Sequence, residues 1–236
     1  VFICGEKNMN KFLTAKWQDL VMANYAVNPN LLADLVPKGT ELDFFEGETY
    51  LSLVSFKFID TAVLGFKIPF HTNFEEVNLR FYVKRGDKRG VVFVKEIVPR
   101  MAISFVAKTF YGEPYETWRM SHEDGENELT YTWTKGRRTN RVYVEYQDDL
   151  GVPDENSLES FIIEHYWGYT RRSFTRTDEY KVEHPKWSLL DINYAEIDVD
   201  FGGTYGKRFN FLTVLEPKSI VMAKGSEISV YKGQSI

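Results

Sequence analysis

The sequence predicts a mainly β protein, an antiparallel barrel or curled sandwich with a few helices on its flank. Three observations carry that expectation. The stretch Glu76-Val77-Asn78-Leu79-Arg80-Phe81-Tyr82-Val83-Lys84 alternates apolar and polar without a break, the period of a strand with one buried face. About ten strand-like runs recur along the chain, against about three short helical patterns. Neighbouring runs are joined by short Gly-containing turns, so most pairing is local. Two stacked antiparallel sheets are the alternative.

In chain order, Trp17–Val27 is apolar with aromatic ends and reads as a strand. Asn28-Pro29 is an N-cap followed by Pro at the first helical position. Leu31, Leu32 and Leu35 then form one apolar face of a short helix, stopped by Pro37 and Gly39. Runs 40–45 and 49–58 are strands around the turn Glu46-Gly47. Residues 60–70 form a further apolar segment, interrupted by Gly65 and by Pro69, which marks an edge or loop. The alternating strand follows, then the charged turn Arg85–Gly90, an ordinary Gly-containing turn despite its Arg-Gly-Asp triplet, and the run Val91–Ile97.

If Lys84 faces Gly90, then Asn78 faces Glu96, and Glu96 joins Glu76 and Arg80 on the polar face with Val92 and Val94. A one-residue slip reverses that outcome. A helix is expected from Pro99 to Gly112 on Ile103, Val106, Ala107 and Phe110. An extended run follows Pro114 to Met120. Residues 129–134 and 141–146 form a hairpin, Ser157 opens a short helix on Leu158, Phe161 and Ile162, and 166–174 and 179–183 are strands. The run 187–199 ends at Gly202-Gly203. Ile220–Ala223 and Ile228–Tyr231 form a closing hairpin around Lys224-Gly225.

Composition narrows the function classes. Of the 236 residues, 43% are hydrophobic and 16% aromatic, a globular composition. A net charge of −5 argues against nucleic-acid or polybasic membrane partners. A single cysteine, Cys4, leaves no internal disulfide and no cysteine-based zinc site. No apolar run reaches membrane-spanning length, and Val1–Cys4 is too short for a signal core, so a cytoplasmic location is expected. Residues 1–16 are read as an N-terminal extension, with a start at Met9, ahead of one domain over 17–236. No phosphate loop, dinucleotide fingerprint or Gly-x-Ser-x-Gly element is present, and no cofactor is expected.

Five ordered blocks resemble the YqjF-like proteins, a bacterial family of unknown function. They are Phe74-x-Glu76-x-Asn78-Leu79-Arg80-x-Tyr82-Val83; Gly90-Val91-Val92-Phe93 with Glu96-Ile97-Val98-Pro99-Arg100; Tyr111-Gly112-Glu113-Pro114-Tyr115 with Met120; Ser157-Leu158-Glu159-x-Phe161 with Glu164-His165-Tyr166-Trp167-Gly168-Tyr169; and Val182-x-His184-Pro185-x-Trp187. The similarity covers nearly the whole chain, from Trp17 to Tyr231. That family is similar to the acetoacetate decarboxylase superfamily, which implies a cone-like antiparallel β-barrel with an internal cavity, into which the polar face of residues 76–82 would point. The decarboxylases use paired lysines in a Gly-x-Pro-Lys-Lys element to form an imine. The matching element here reads Gly112-Glu113-Pro114-Tyr115-Glu116, without either lysine. Lys95 falls on the face opposite Glu96, with Val91, Phe93 and Ile97, as a surface or ion-paired lysine.

The candidate site residues follow. Arg80 would hold an anionic group such as a carboxylate by paired hydrogen bonds, with Asn78 and Tyr82 orienting it and Glu76 and Glu96 fixing the arginine. His165 and His184 stand in aromatic blocks as further ligand-binding candidates or as packed structural histidines. His71 and His122 fall in solvated turns, and no histidine pair has metal-ligand spacing. Three functions stay open: a small-molecule binding protein; an enzyme using the cavity without an imine, with Glu76 or Glu96 as acid or base and Tyr115 as proton donor; and a structural or assembly protein. A homo-oligomer is compatible with each.

Overall fold

The computed structural model describes residues 11–101, 112 and 114–236. The expected helix between Pro99 and Gly112 falls on residues outside those described. The first half of the chain contributes β1 (Lys11–Val27), β2 (Glu41–Leu42), β3 (Thr49–Val63), β4 (Phe74–Arg85), β5 (Lys88–Val98), β6 (Tyr115–Thr117) and β7 (Arg119–Asp124). The second half contributes β8 (Glu128–Lys135), β9 (Arg138–Gly151), α1 (Leu158–Ile163), β10 (Trp167–Arg171), β11 (Thr177–Glu183), β12 (Leu189–Asp198), α2 (Phe201–Tyr205), β13 (Ser219–Tyr231) and β14 (Gln234–Ser235). The boundary expected after residue 16 falls inside β1. No helix among the described residues is long and apolar enough to cross a membrane.

All of these strands belong to one sheet, and its core is a closed circuit. Neighbours run β11–β10–β5–β4–β3–β1–β13, and β11 returns to β13 through Val182 opposite Val230 and Glu183 opposite Ser229. Seven strands therefore close a ring. From β13 a second arm, β12–β9–β8–β7, folds back over the outside of the ring. The expected antiparallel, mainly β architecture holds, with two short parallel pairings, β5 with β10 and β5 with β6. Two apolar cores result. Outside the ring, Leu79, Phe81 and Ile97 pack against Leu129, Tyr131 and Trp133 of the arm. Inside it, Leu20, Met22, Phe56 and Tyr82 pack towards Phe161 and Trp187.

The alternation of β4 separates these cores. Val77, Leu79, Phe81 and Val83 are all fully buried in the outer one, and the intervening side chains face the ring interior. The β4–β5 register differs from expectation in an instructive way. The turn is two residues, Gly86-Asp87, because Arg85 already pairs with Lys88, and Gly86 supplies the left-handed φ of +58°. Val83 thus faces Gly90 rather than Val91, a one-residue slip that turns Val92 outward and Val91 and Phe93 inward. A bulge at Val94, between the pairs Leu79–Lys95 and Arg80–Phe93, restores parity. Asn78 faces Glu96 as expected, while Val92 and Val94, expected on the polar face, lie in the outer core.

Two further expectations are corrected. The helix after Asn28 is two 3-10 turns, Pro29–Leu31 and Ala33–Leu35. The Asn28 cap itself forms, its side chain accepting from Asn30 N at 2.9 Å. The closing hairpin around Lys224-Gly225 is instead one bent strand, β13, paired with β1 almost throughout. Gly225 has φ +79°, and a Cβ there would lie 2.1 Å from the Trp17 carbonyl oxygen. Its lack of a side chain therefore lets β13 bend against β1, where Asp19 also takes positive φ.

Candidate binding cavity

The ring encloses a cavity of about 150 Å³. Its wall is largely apolar, with Val54, Phe56, Phe74, Val91 and Val230 among its side chains. Into it project Glu76, Asn78, Arg80, Glu96, Tyr115 and His165, with His184 further along the wall. β4 supplies the first three from alternate positions, β5 supplies Glu96 because of the bulge, and the parallel pairing of β6 beside Glu96 brings in Tyr115. His165 follows α1, which starts at the Ser157 cap (Ser157 Oγ accepts from Ser160 N, 3.1 Å) and buries Phe161, Ile162 and Ile163. Tyr82 stands behind the cavity wall, its hydroxyl 2.6 Å from Ser52 Oγ.

Glu76 is 2% exposed. Asn78 Nδ2 donates to its Oε1 at 3.0 Å, and the Tyr115 hydroxyl donates to its Oε2 at 3.1 Å. Burial pushes the Glu76 carboxyl up to about 7, against these hydrogen bonds and the Arg80 charge, which lower it. Burial, then the charges of Glu76 and Glu96, hold the Tyr115 hydroxyl well above the usual tyrosine range.

Arg80 faces inward but is not clamped by the carboxylates. Its terminal nitrogen reaches the Met22 sulfur at 3.7 Å and the Ile162 carbonyl at 3.5 Å. The guanidinium carbon lies 5.7 Å from the Tyr82 ring centre. Its Nε is buried without a hydrogen-bond partner. Among the described residues no carboxylate forms an ion pair with it, so the expected anchoring by Glu76 and Glu96 is replaced by weak contacts to sulfur, carbonyl and ring.

His165 is held from behind. Its Nε2 is 3.2 Å from Asp43 Oδ2, and its ring packs on Tyr82 and Phe161. Arg89 Nε also reaches Asp43 Oδ2, at 2.7 Å. Burial raises the Asp43 carboxyl, but the hydrogen bonds from His165 and Arg89 and the Arg89 charge outweigh it and bring it down to about 2. Burial lowers the imidazole of His165 to about 4; the Asp43 hydrogen bond opposes this, and the Arg89 charge adds to it. Arg89 is therefore the counter-ion of Asp43, and His165 is neutral at pH 7. Its Nδ1 is buried and has no partner.

His184 stacks on Trp187 with ring centres 4.0 Å apart, and burial lowers its imidazole. His71 sits at the cavity wall, with Nδ1 2.8 Å from the Pro69 carbonyl. His122 is in β7 rather than a turn, 2.7 Å from Glu75 on the outer face. Lys95 also faces outward, beside Val92 and Val94 rather than Val91 and Phe93. Its Nζ donates to the Thr204 carbonyl at 2.7 Å and pairs with Glu116 at 2.7 Å. No lysine among the described residues lines the cavity. Sequence reasoning missed Asp43 and Arg89, whose role depends on contacts across 46 and 122 positions, for which spacing carries no signal.

A seven-strand ring around such a hollow, with an arm folded across its outside, is the acetoacetate decarboxylase-like fold. The chain superposes on an acetoacetate decarboxylase-like enzyme from Sphingomonas wittichii RW1 with a TM-score of 0.66 at 11% identity, covering 100% of this chain and 97% of that one. It matches the acetoacetate decarboxylase of Legionella pneumophila at 0.67 and 12% identity over 99% and 92% of the two chains. The enduracididine biosynthesis enzyme MppR, in a structure complexed with pyruvate, matches at 0.67 and 10% identity over 99% and 93%. At such identities these likenesses are of fold. By sequence the chain belongs to the family DUF2071, "Uncharacterized conserved protein (COG2071)", which matches residues 14–227. Within reach of it by sequence is the uncharacterized protein YqjF of Bacillus subtilis (strain 168), 27% identical over 190 residues, 78% of this chain and 77% of that protein.

Proposed function

We propose that this chain binds a small organic anion inside the ring, with Arg80 as its counter-ion. The observation that carries this reading is the guanidinium of Arg80, turned into a largely apolar-walled hollow with Nε buried and, among the described residues, no carboxylate ion-paired to it. The guanidinium is half-buried, and one N–H shut away from any acceptor costs on the order of 1 kcal/mol. A ligand carboxylate would supply the missing charge and accept the free N–H. The cavity matches in size the engineered cavity that admits benzene, so the ligand is a small acid of roughly six to eight non-hydrogen atoms. The pyruvate complex of the fold relative MppR is consistent with a ligand of this class. A second reading, acid–base chemistry on the bound acid, rests on Glu76, whose carboxyl near 7 suits proton transfer at neutral pH.

Thermal shift with a panel of small carboxylic acids tests the binding. At a hundredfold excess over Kd, a ligand adds about 2.7 kcal/mol, a Tm rise of roughly 5–10 °C at this chain length. Arg80→Ala is expected to abolish the rise. No shift with any acid overturns the proposal.

A further inference from the structure

We propose that the ligand carries a hydroxyl next to its acid group, which donates its one hydrogen to His165 Nδ1 in a lining where Asn78 Oδ1 is a second acceptor, so that the cavity selects 2-hydroxy acids over the corresponding 2-keto acids. This rests on the anion reading above and specifies its chemistry. Each of the two acceptors is fixed by a carboxylate behind it. The Asp43 carboxylate can only accept, so the hydrogen of neutral His165 sits on Nε2 and the lone pair on Nδ1. The Glu76 carboxylate likewise takes the amide N–H of Asn78 at 3.0 Å, which directs Oδ1 elsewhere. Both acceptors belong to residues more than nine-tenths buried, 7% and 1% exposed. Both residues line the cavity, and neither acceptor atom has a hydrogen-bond partner.

Arg80 presents donors beside them. Its terminal nitrogen reaches Ile162, in the same segment as His165, and its guanidinium and the His165 imidazole both rest on Tyr82. The polar lining therefore asks for an anion and a neutral donor in one small molecule. A keto oxygen would set its lone pairs against those of Nδ1 and Oδ1 and donate to neither, leaving Nδ1 unsatisfied where a hydroxyl would fill it. An ammonium would donate, but it would bring a second cation to Arg80.

The experiment is calorimetric titration of the wild type with L- and D-lactate, pyruvate, 2-hydroxybutyrate and 2-oxobutyrate, repeated on His165→Phe and Arg80→Ala. The hydroxy acids are expected to bind about ten- to a hundredfold tighter than their keto partners. His165→Phe should erase most of that ratio, and Arg80→Ala should remove binding of both. Nitrogen-15 NMR of histidine-labelled wild type gives an independent readout that needs no variant. His165 Nδ1 is expected to be unprotonated in the free protein and to shift when lactate is added. Keto acids that bind as tightly as hydroxy acids, while still needing Arg80, overturn this inference and leave the anion reading intact. A proton on Nδ1 also overturns it. Failure of every acid to bind overturns both.

Discussion

The two faces of β4 do opposite things within one nine-residue stretch. Outward, Val77, Leu79, Phe81 and Val83 meet the arm and are wholly buried in a packed apolar core. Inward, Glu76, Asn78 and Arg80 border a hollow, with Asn78 Oδ1 and Arg80 Nε left without partners. Side chains one residue apart share the same backbone and the same pairing, so local conformation does not cause the difference. What differs is the opposing layer. The arm can fill the outer face to native density, whereas the ring wall is held apart by its own closure. The outer face carries stability, and the inner face has polar capacity that the fold leaves unspent.

The largest expected effects come from breaking this contrast at adjacent positions. Leu79→Ala empties a site that the arm cannot collapse into, and a loss of about 2–5 kcal/mol is expected. Arg80→Ala, the next residue, removes a cation with only weak contacts, and a change within about 1 kcal/mol is expected. Urea denaturation of both variants measures the difference. If Arg80→Ala cost as much as Leu79→Ala, the guanidinium would be a structural member of the wall and the contrast would fail.

A second contrast lies within the inner face and concerns pH. An ordinary glutamate titrates near 4.5, and burial raises Glu76 to about 7. Between those values the folded state holds the proton more firmly than the unfolded chain, so this group's contribution to stability is full at low pH and lost as pH rises towards 7. The loss is on the order of 3 kcal/mol. His165 runs the other way: lowered from 6.5 to about 4, it lets the unfolded state bind the extra proton, so stability rises with pH over nearly the same window. The two slopes largely cancel in the wild type. Glu76→Gln keeps an acceptor for Asn78 and removes one slope. Its stability is expected to climb from pH 4.5 to 7 and to exceed the wild type at pH 8, with no advantage at pH 4. Parallel wild-type and variant profiles from chemical denaturation would show that Glu76 is charged in the fold.

How much of this was legible in the sequence follows from the range of the interactions. The faces of β4 were readable because a period of two is local. The inward position of Glu96 was also anticipated, but through two departures that cancel: a tighter turn at Gly86-Asp87 and a bulge at Val94. Neither leaves a distinct mark among Val91–Val94, since apolar residues fill both faces there. Gly225 reads as a turn in the sequence because positive φ serves turns and bends alike, and only the Trp17 carbonyl beside it decides between them. The 3-10 turns after Asn28 have the cap and proline of a helix, but each is only three residues long. The Asp43–His165–Arg89 group was invisible, because ring closure and not sequence proximity brings its members together.

The smallest expected effect sharpens the boundary between the faces at Lys95, next to Glu96 on β5. Its amine leaves the ring altogether, bonded to the Thr204 carbonyl and to Glu116. Lys95→Met keeps the stem that packs beside Val92 and Val94 and deletes only the charge. Glu116 keeps Lys135 and the Trp118 indole as partners, at 2.9 Å each, so no bare carboxylate is left. The expected cost is about 1 kcal/mol, with the acid-induced thermal shift unchanged. Borohydride treatment with a keto acid is expected to leave no adduct on Lys95 in the wild type. An adduct there, or loss of acid binding in Lys95→Met, would place that amine inside the ring and undo the separation of the two faces on which the reading of Arg80 depends.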